Sequence, residues 1–259
     1  MFDVLVVCGD SHSFGTECLG DHNNSTANVD LAYGKHIANA LGIEKYDNIA
    51  ISGASNLEIF DAILDYIESY KGDLSKVLLI VGWSEPNRIN FNFFGSTRRL
   101  SEYMMKRFLS PSPIPPPHAK PGDAQFLRQS FQSIPYISDF FKGMIAYLFN
   151  SDHFNYMNML IRLSLDYYLK ATPVHYFTFP TINDGFFTKY KQLRALFTKN
   201  NMFELTPHPS GSNLKDIKFC MMDWFSQYGV AAGGHLKPKG HLKLASFLIE
   251  EMRLRKIIP

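Results

Sequence analysis

A chain of 259 residues, 46% of them hydrophobic, can bury a full core without help from disulfides or metals. Its 26 Lys and Arg against 24 Asp and Glu leave a formal charge of +2, too mild for the concentrated basic face that nucleic-acid binding uses, so a neutral small-molecule or glycan partner is expected. Cys8, Cys18 and Cys220 are an odd number, widely spaced, which argues against a disulfide framework and for a reducing compartment; the start MFDVLVVCGD has no basic n-region and no apolar run approaches the roughly 18 residues of a membrane span, so a cytoplasmic or otherwise soluble chain is expected.

In chain order, Val4 to Cys8 is a continuous apolar and β-branched run, the pattern of a parallel strand covered on both faces. A helix is predicted over Leu31 to Leu41, where Tyr33, Ile37 and Leu41 share a face and Gly42 supplies the stop. A second strand follows at Asp47 to Ile51, then a helix over Leu57 to Tyr70, with Asn56 as its cap and Phe60, Ile63, Leu64 and Ile67 as its buried stripe. The third strand is Lys76 to Val81. All three strands run into a glycine and polar residues, and in an open parallel sheet such loops gather at the carboxyl edge, where ligands bind.

Residues 91 to 150 are different. They hold Phe91, Phe93, Phe94, Tyr103 and Phe108, then SPSPIPPPHAKPGD from Ser110 to Asp123. Proline fixes the backbone and removes donors, so this segment reads as a surface excursion within one domain, flanked by short helices around Leu100 to Leu109 and Ala124 to Asn150. Beyond it, a helix is predicted over His153 to Lys170, a strand at Val174 to Pro180, and a last helix over Pro238 to Arg255, with Leu244, Ala245, Leu248 and Met252 on one side. Alternating strands and helices give an α/β fold.

GDSHSFG, Gly9 to Gly15, directly follows the first strand. It resembles the GDSxxxG nucleophile block of the SGNH/GDSL hydrolases. A serine hydroxyl needs a base within hydrogen-bond reach, and GGHLKPKGHLKLA offers one at the mouth of the last helix. His235, Gly240, His241 and Ala245 reproduce the intervals of the family's last block. The resemblance therefore implies Ser11 as nucleophile and His235 as base, with His241 inside the helix. Gly53 in ISGAS matches the second-block glycine, whose N–H joins the oxyanion hole; one such donor is worth about 2.7 to 4 kcal/mol of barrier.

Two departures stand out. The third block, usually Gly-x-Asn-Asp, reads Gly82, Trp83, Ser84, Glu85, so the Ser84 hydroxyl is expected to replace the asparagine as oxyanion donor, with Asn87 a further candidate and Arg88 beside it. The acid that commonly stands three residues before the histidine is Ala232. Either His235 works in a dyad with a backbone carbonyl or another acid substitutes, Asp223 or Asp184 being the candidates; Asp10 more simply braces the nucleophile loop. The resemblance implies a three-layer α/β/α sandwich on a mainly parallel, flavodoxin-like sheet, and a serine esterase or deacetylase with Ser11, Gly53 and Ser84 holding the oxyanion. No metal or cofactor is implied, no ligand spacing or phosphate loop being visible. An ester, first of all an O-acetyl group on a glycan, is the expected substrate. The alternatives are a non-catalytic glycan- or ligand-binding module on the same fold and an acyltransferase. Neither nucleic acid nor membrane is an expected partner.

Overall fold

The computed structural model describes residues 1–19, 25–86, 88–93, 96–101, 139, 142–143, 146, 152–181, 221–231 and 234–259. Within them the chain forms two compact units, one of Met1–Glu85 with Met159–Pro259 and one of Pro86–Asn158.

The first unit is built on β1 (Val4–Gly9), β2 (Lys45–Asn48), β3 (Val77–Trp83) and β6 (His175–Pro180), all parallel, in the order β2-β1-β3-β6. Every residue of β1 and β3 is buried, as their unbroken apolar runs predict for a sheet covered on both faces. Successive side chains alternate between those faces. Leu5, Val7, Leu78, Ile80, Phe177 and Phe179 enter one core with α3 (Tyr33–Leu41), α6 (Met221–Phe225) and α7 (Pro238–Leu254). Val4, Val6, Cys8, Val77, Leu79, Val81 and Tyr176 enter the other with α4 (Asn56–Ser69) and the later turns of α5 (Asp152–Lys170). The result is an α/β/α sandwich.

The crossover helices α3 and α4 lie on opposite faces, so the winding reverses between β1 and β3. A crevice opens at such a point outside the carboxyl ends of the strands. Here those ends are Gly9 and Gly82, paired in register. A Cβ on either would run into the Ser13 side chain, so the two glycines make room for the turn that follows β1.

Several boundaries move relative to the sequence reading. The helix predicted over Leu57 to Tyr70 starts at Asn56, and its cap is Ser55: its Oγ accepts from Glu58 N–H while the Glu58 carboxylate accepts from Ser55 N–H. Reading Asn56 as the cap overlooked this reciprocal pair, the stronger start signal. β2 begins at Lys45, two residues before the predicted Asp47, yet Ile49 and Ile51 still donate to the Val7 and Gly9 carbonyls, so the predicted segment does flank β1. Two one-turn helices, α1 (Ser11–Phe14) and α2 (Thr26–Val29), are too short to leave a periodic pattern.

In the second unit β4 (Arg88–Phe93) and β5 (Ser96–Ser101) form an antiparallel pair, where the sequence reading had only an aromatic-rich excursion and a helix from Leu100; Leu100 is strand. Asn158 Nδ2 donates to the Pro86 carbonyl at 2.8 Å. The proline-rich segment 110–123 lies outside the described residues. No described helix is long and apolar enough to cross a membrane.

Candidate active site

The turn that carries Ser11 is set by Asp10. Its carboxylate is fully buried and holds two donors: Oδ1 accepts from His12 N–H at 3.0 Å, capping α1, and Oδ2 accepts from the Ser84 hydroxyl at 3.0 Å. A carboxylate at an N-cap satisfies donors that the helix itself cannot. Ser11 is therefore fixed at the first position of α1, at the carboxyl edge of the sheet. The turn ends at Gly15, φ 85°; the chain folds back, and Thr16 N–H donates to the Ser11 carbonyl at 3.0 Å.

His235 arrives from the segment before α7. Ala231 N–H donates to its carbonyl at 2.8 Å, and Val230 and Leu236 form an antiparallel bridge on either side of the turn. Its Nε2 lies 2.8 Å from Ser11 Oγ, and its Nδ1 lies 2.8 Å from Glu17 Oε2. Because a carboxylate only accepts, Nδ1 carries the ring proton and Nε2 accepts from the Ser11 hydroxyl. Glu17 is nearly inaccessible, with 2% of its side chain exposed, and His235 is 16% exposed. The three groups form one hydrogen-bonded line, with the alignment of a nucleophile, a base and an acid that orients the base.

Glu17 is the residue that sequence reasoning missed. The sequence places the expected acid near His235 or at Asp223 or Asp184, whereas Glu17 sits six residues after Ser11. No spacing rule points to it: its carboxylate reaches His235 because Gly15 and then Glu17 itself, at φ 66°, turn left-handed and reverse the chain. An L-residue in that conformation costs roughly 1–2 kcal/mol. Asp184 and Asn87, and the side chain of Asp223, lie outside the described residues; Asp223 stands in α6.

Ser84 is buried and fully engaged. Beyond its hydroxyl bond to Asp10, its N–H donates to Asn56 Oδ1 at 2.9 Å, and its carbonyl accepts from Asn56 Nδ2 at 3.1 Å and from Arg162 Nη2 at 3.2 Å. A hydroxyl has one proton to give, and this one goes to Asp10. The oxyanion role expected of Ser84 therefore does not fit its geometry; it joins the third strand's loop to the nucleophile turn. Arg162, itself buried, lies over the Trp83 indole at 5.4 Å. The Ser11 and Gly53 N–H groups, by contrast, have no hydrogen-bond partner among the described residues. Gly53 has φ 82°, a conformation open to glycine at little cost.

His241 lies in α7, fully buried, and its Nδ1 accepts from Tyr33 N–H at 3.3 Å. Burial first, then the nearby His12, His36 and His235, push its pKa down to about 3. The unfolded chain therefore binds a proton below about pH 6.5 that folded His241 refuses until near pH 3, so stability falls with pH across that window by up to about 1.4 kcal/mol per unit. His36, also lowered by burial, acts in the same direction. His241→Asn, which keeps an acceptor for Tyr33 N–H, should flatten this acid limb, as read from urea midpoints between pH 4 and 7. Burial pushes the Cys8 and Cys18 thiols up to about 12, which makes both inert.

No family model and no curated protein matches the chain. Among solved structures, a protein from Desulfitobacterium hafniense DCB-2 described as lipolytic and of the G-D-S-L family aligns over 99% of this chain and 99% of its own, at 10% identity and a TM-score of 0.40.

Proposed function

We propose that the protein is a serine hydrolase that cleaves an ester through Ser11. The carrying observation is the line from Ser11 Oγ through His235 to Glu17, with 2.8 Å at each step. Ser11 Oγ attacks the carbonyl carbon as its proton passes to His235 Nε2. The Glu17 carboxylate holds the Nδ1 proton and stabilises the imidazolium that forms. The negative charge on the carbonyl oxygen is met by the Ser11 and Gly53 N–H groups. Collapse breaks the bond to the leaving alcohol, which takes the proton from Nε2. Water then attacks the acyl-serine, giving its proton to His235, and the acid leaves as Ser11 regains its hydrogen.

A binding module without chemistry is the alternative motivated by two departures, the missing acid near His235 and the altered third block at Gly82 to Glu85, and the structure bears on the first of them. The contact of Glu17 with Nδ1 takes that motive away. Sugar rings stack on aromatic side chains, which makes Phe91, Phe93, Phe94, Tyr103 and Phe108 the argument for an O-acetyl glycan; those side chains lie outside the described residues, and the site geometry supports an ester of unspecified acyl and alcohol parts. Wild-type protein is expected to release p-nitrophenol from p-nitrophenyl acetate and to be labelled at Ser11 by a fluorophosphonate, located by peptide mass spectrometry. Turnover without labelling of Ser11, or neither, overturns the reading. Adding an alcohol acceptor and measuring the new ester against free acid separates hydrolysis from acyl transfer.

A further inference from the structure

Two in-plane hydrogen bonds, one at each nitrogen, fix an imidazole along the line between them. They leave it able to rock about that line, and a ring on a loop needs a wall to stop it. For His235 the wall is a second histidine. The ring of His12 lies against it, with centroids 4.7 Å apart and planes tilted by 43°. His12 is itself well anchored: it is 7% exposed, and its N–H is held by Asp10 Oδ1 at 3.0 Å. The residue directly after the nucleophile thus turns its side chain onto the base of the same site.

We propose, on the basis of the hydrolase reading above, that His12 is a positioning residue for His235: its ring face keeps the base in line between Ser11 Oγ and Glu17 Oε2. Ring shape and volume are what this role requires, so phenylalanine can serve and alanine cannot. A small side chain at position 12 leaves a void beside His235 into which the base can tilt. Misplacement of a reacting group by about 1 Å can cost on the order of a hundredfold in rate, and the loss falls on steps that use the aligned pair while leaving ester binding nearly untouched.

The test uses the intact chain and two readouts, the second-order rate of fluorophosphonate labelling at Ser11 and steady-state hydrolysis of p-nitrophenyl acetate. His12→Ala is expected to label at least tenfold more slowly than wild type and to lose kcat by a similar factor, with KM within twofold. His12→Phe is expected to stay within threefold of wild type on both. Equal labelling rates for wild type and His12→Ala overturn the proposal, as does a His12→Phe rate as low as that of His12→Ala. If His12→Ala does not fold, His12→Val carries the expectation at about threefold to tenfold, with a wild-type rate again overturning it. These outcomes separate from failure of the hydrolase reading, which would appear as an unlabelled wild type and would remove both.

Discussion

Ser11→Ala and His235→Ala are each expected to lower kcat for p-nitrophenyl acetate by about ten-thousand-fold or more, and the double substitution to lower it no further than either alone. The reason lies in the single hydrogen bond between them: without the base the hydroxyl is not activated, and without the hydroxyl the base has nothing to activate. The measurement is a double-mutant cycle on kcat, with thermal unfolding run beside it. Multiplicative losses in the double variant would mean that the two residues act separately, and the 2.8 Å contact would then be incidental to catalysis.

Glu17 should give the second large effect, with opposite signs for activity and for local backbone strain. Glu17→Gln keeps the volume but removes the charge that favours the Nδ1 proton and the imidazolium, and it is expected to cost about a hundredfold to ten-thousand-fold in kcat. Glu17→Gly and Glu17→Ala should lose activity alike but differ in stability. At an ordinary position glycine is the less stable of the two by about 0.5 to 1 kcal/mol. At φ 66° the order reverses, and Glu17→Gly should unfold about 1 to 4 °C above Glu17→Ala. Together these results would show that the chain tolerates a strained and buried carboxylate because His235 needs it. A Glu17→Gln enzyme with wild-type kcat would remove Glu17 from the catalytic line.

What the sequence made legible follows from the length scale of each signal. Val4 to Cys8 and Lys76 to Val81 announce buried parallel strands because a strand covered on both faces must be apolar throughout, a demand met residue by residue. Ser11 and His235 were found because each abuts a recognisable element, the first strand and the last helix. Glu17 was not, since its approach to His235 depends on left-handed turns at Gly15 and at Glu17 itself, and a glutamate in that conformation has no sequence signature. Ser84 was read by its capacity to donate; that its proton goes to Asp10 depends on a contact 74 positions away. The β4–β5 pair went unread because the aromatic density of residues 91 to 108 masked a short alternation of polar and apolar residues in RINFNF.

The proposed nucleophile and acid, Ser11 and Glu17, lie six positions apart, but the proposed base comes from 224 positions away. That gives the site a particular fragility. Ser11 and Glu17 are tied to the sheet through β1, Asp10 and the reversal at Gly15, whereas the segment delivering His235 is closed by the Val230 and Leu236 bridge and a Lys237 N–H to Gly229 carbonyl bond. Among the described residues its backbone-to-backbone hydrogen bonds run within the segment itself and none reaches the sheet, so we expect it to open locally before the whole fold does. Catalytic competence is thus a reporter of a small cooperative region, and on warming, activity should fade while the sheet and its helices still give a native circular dichroism signal.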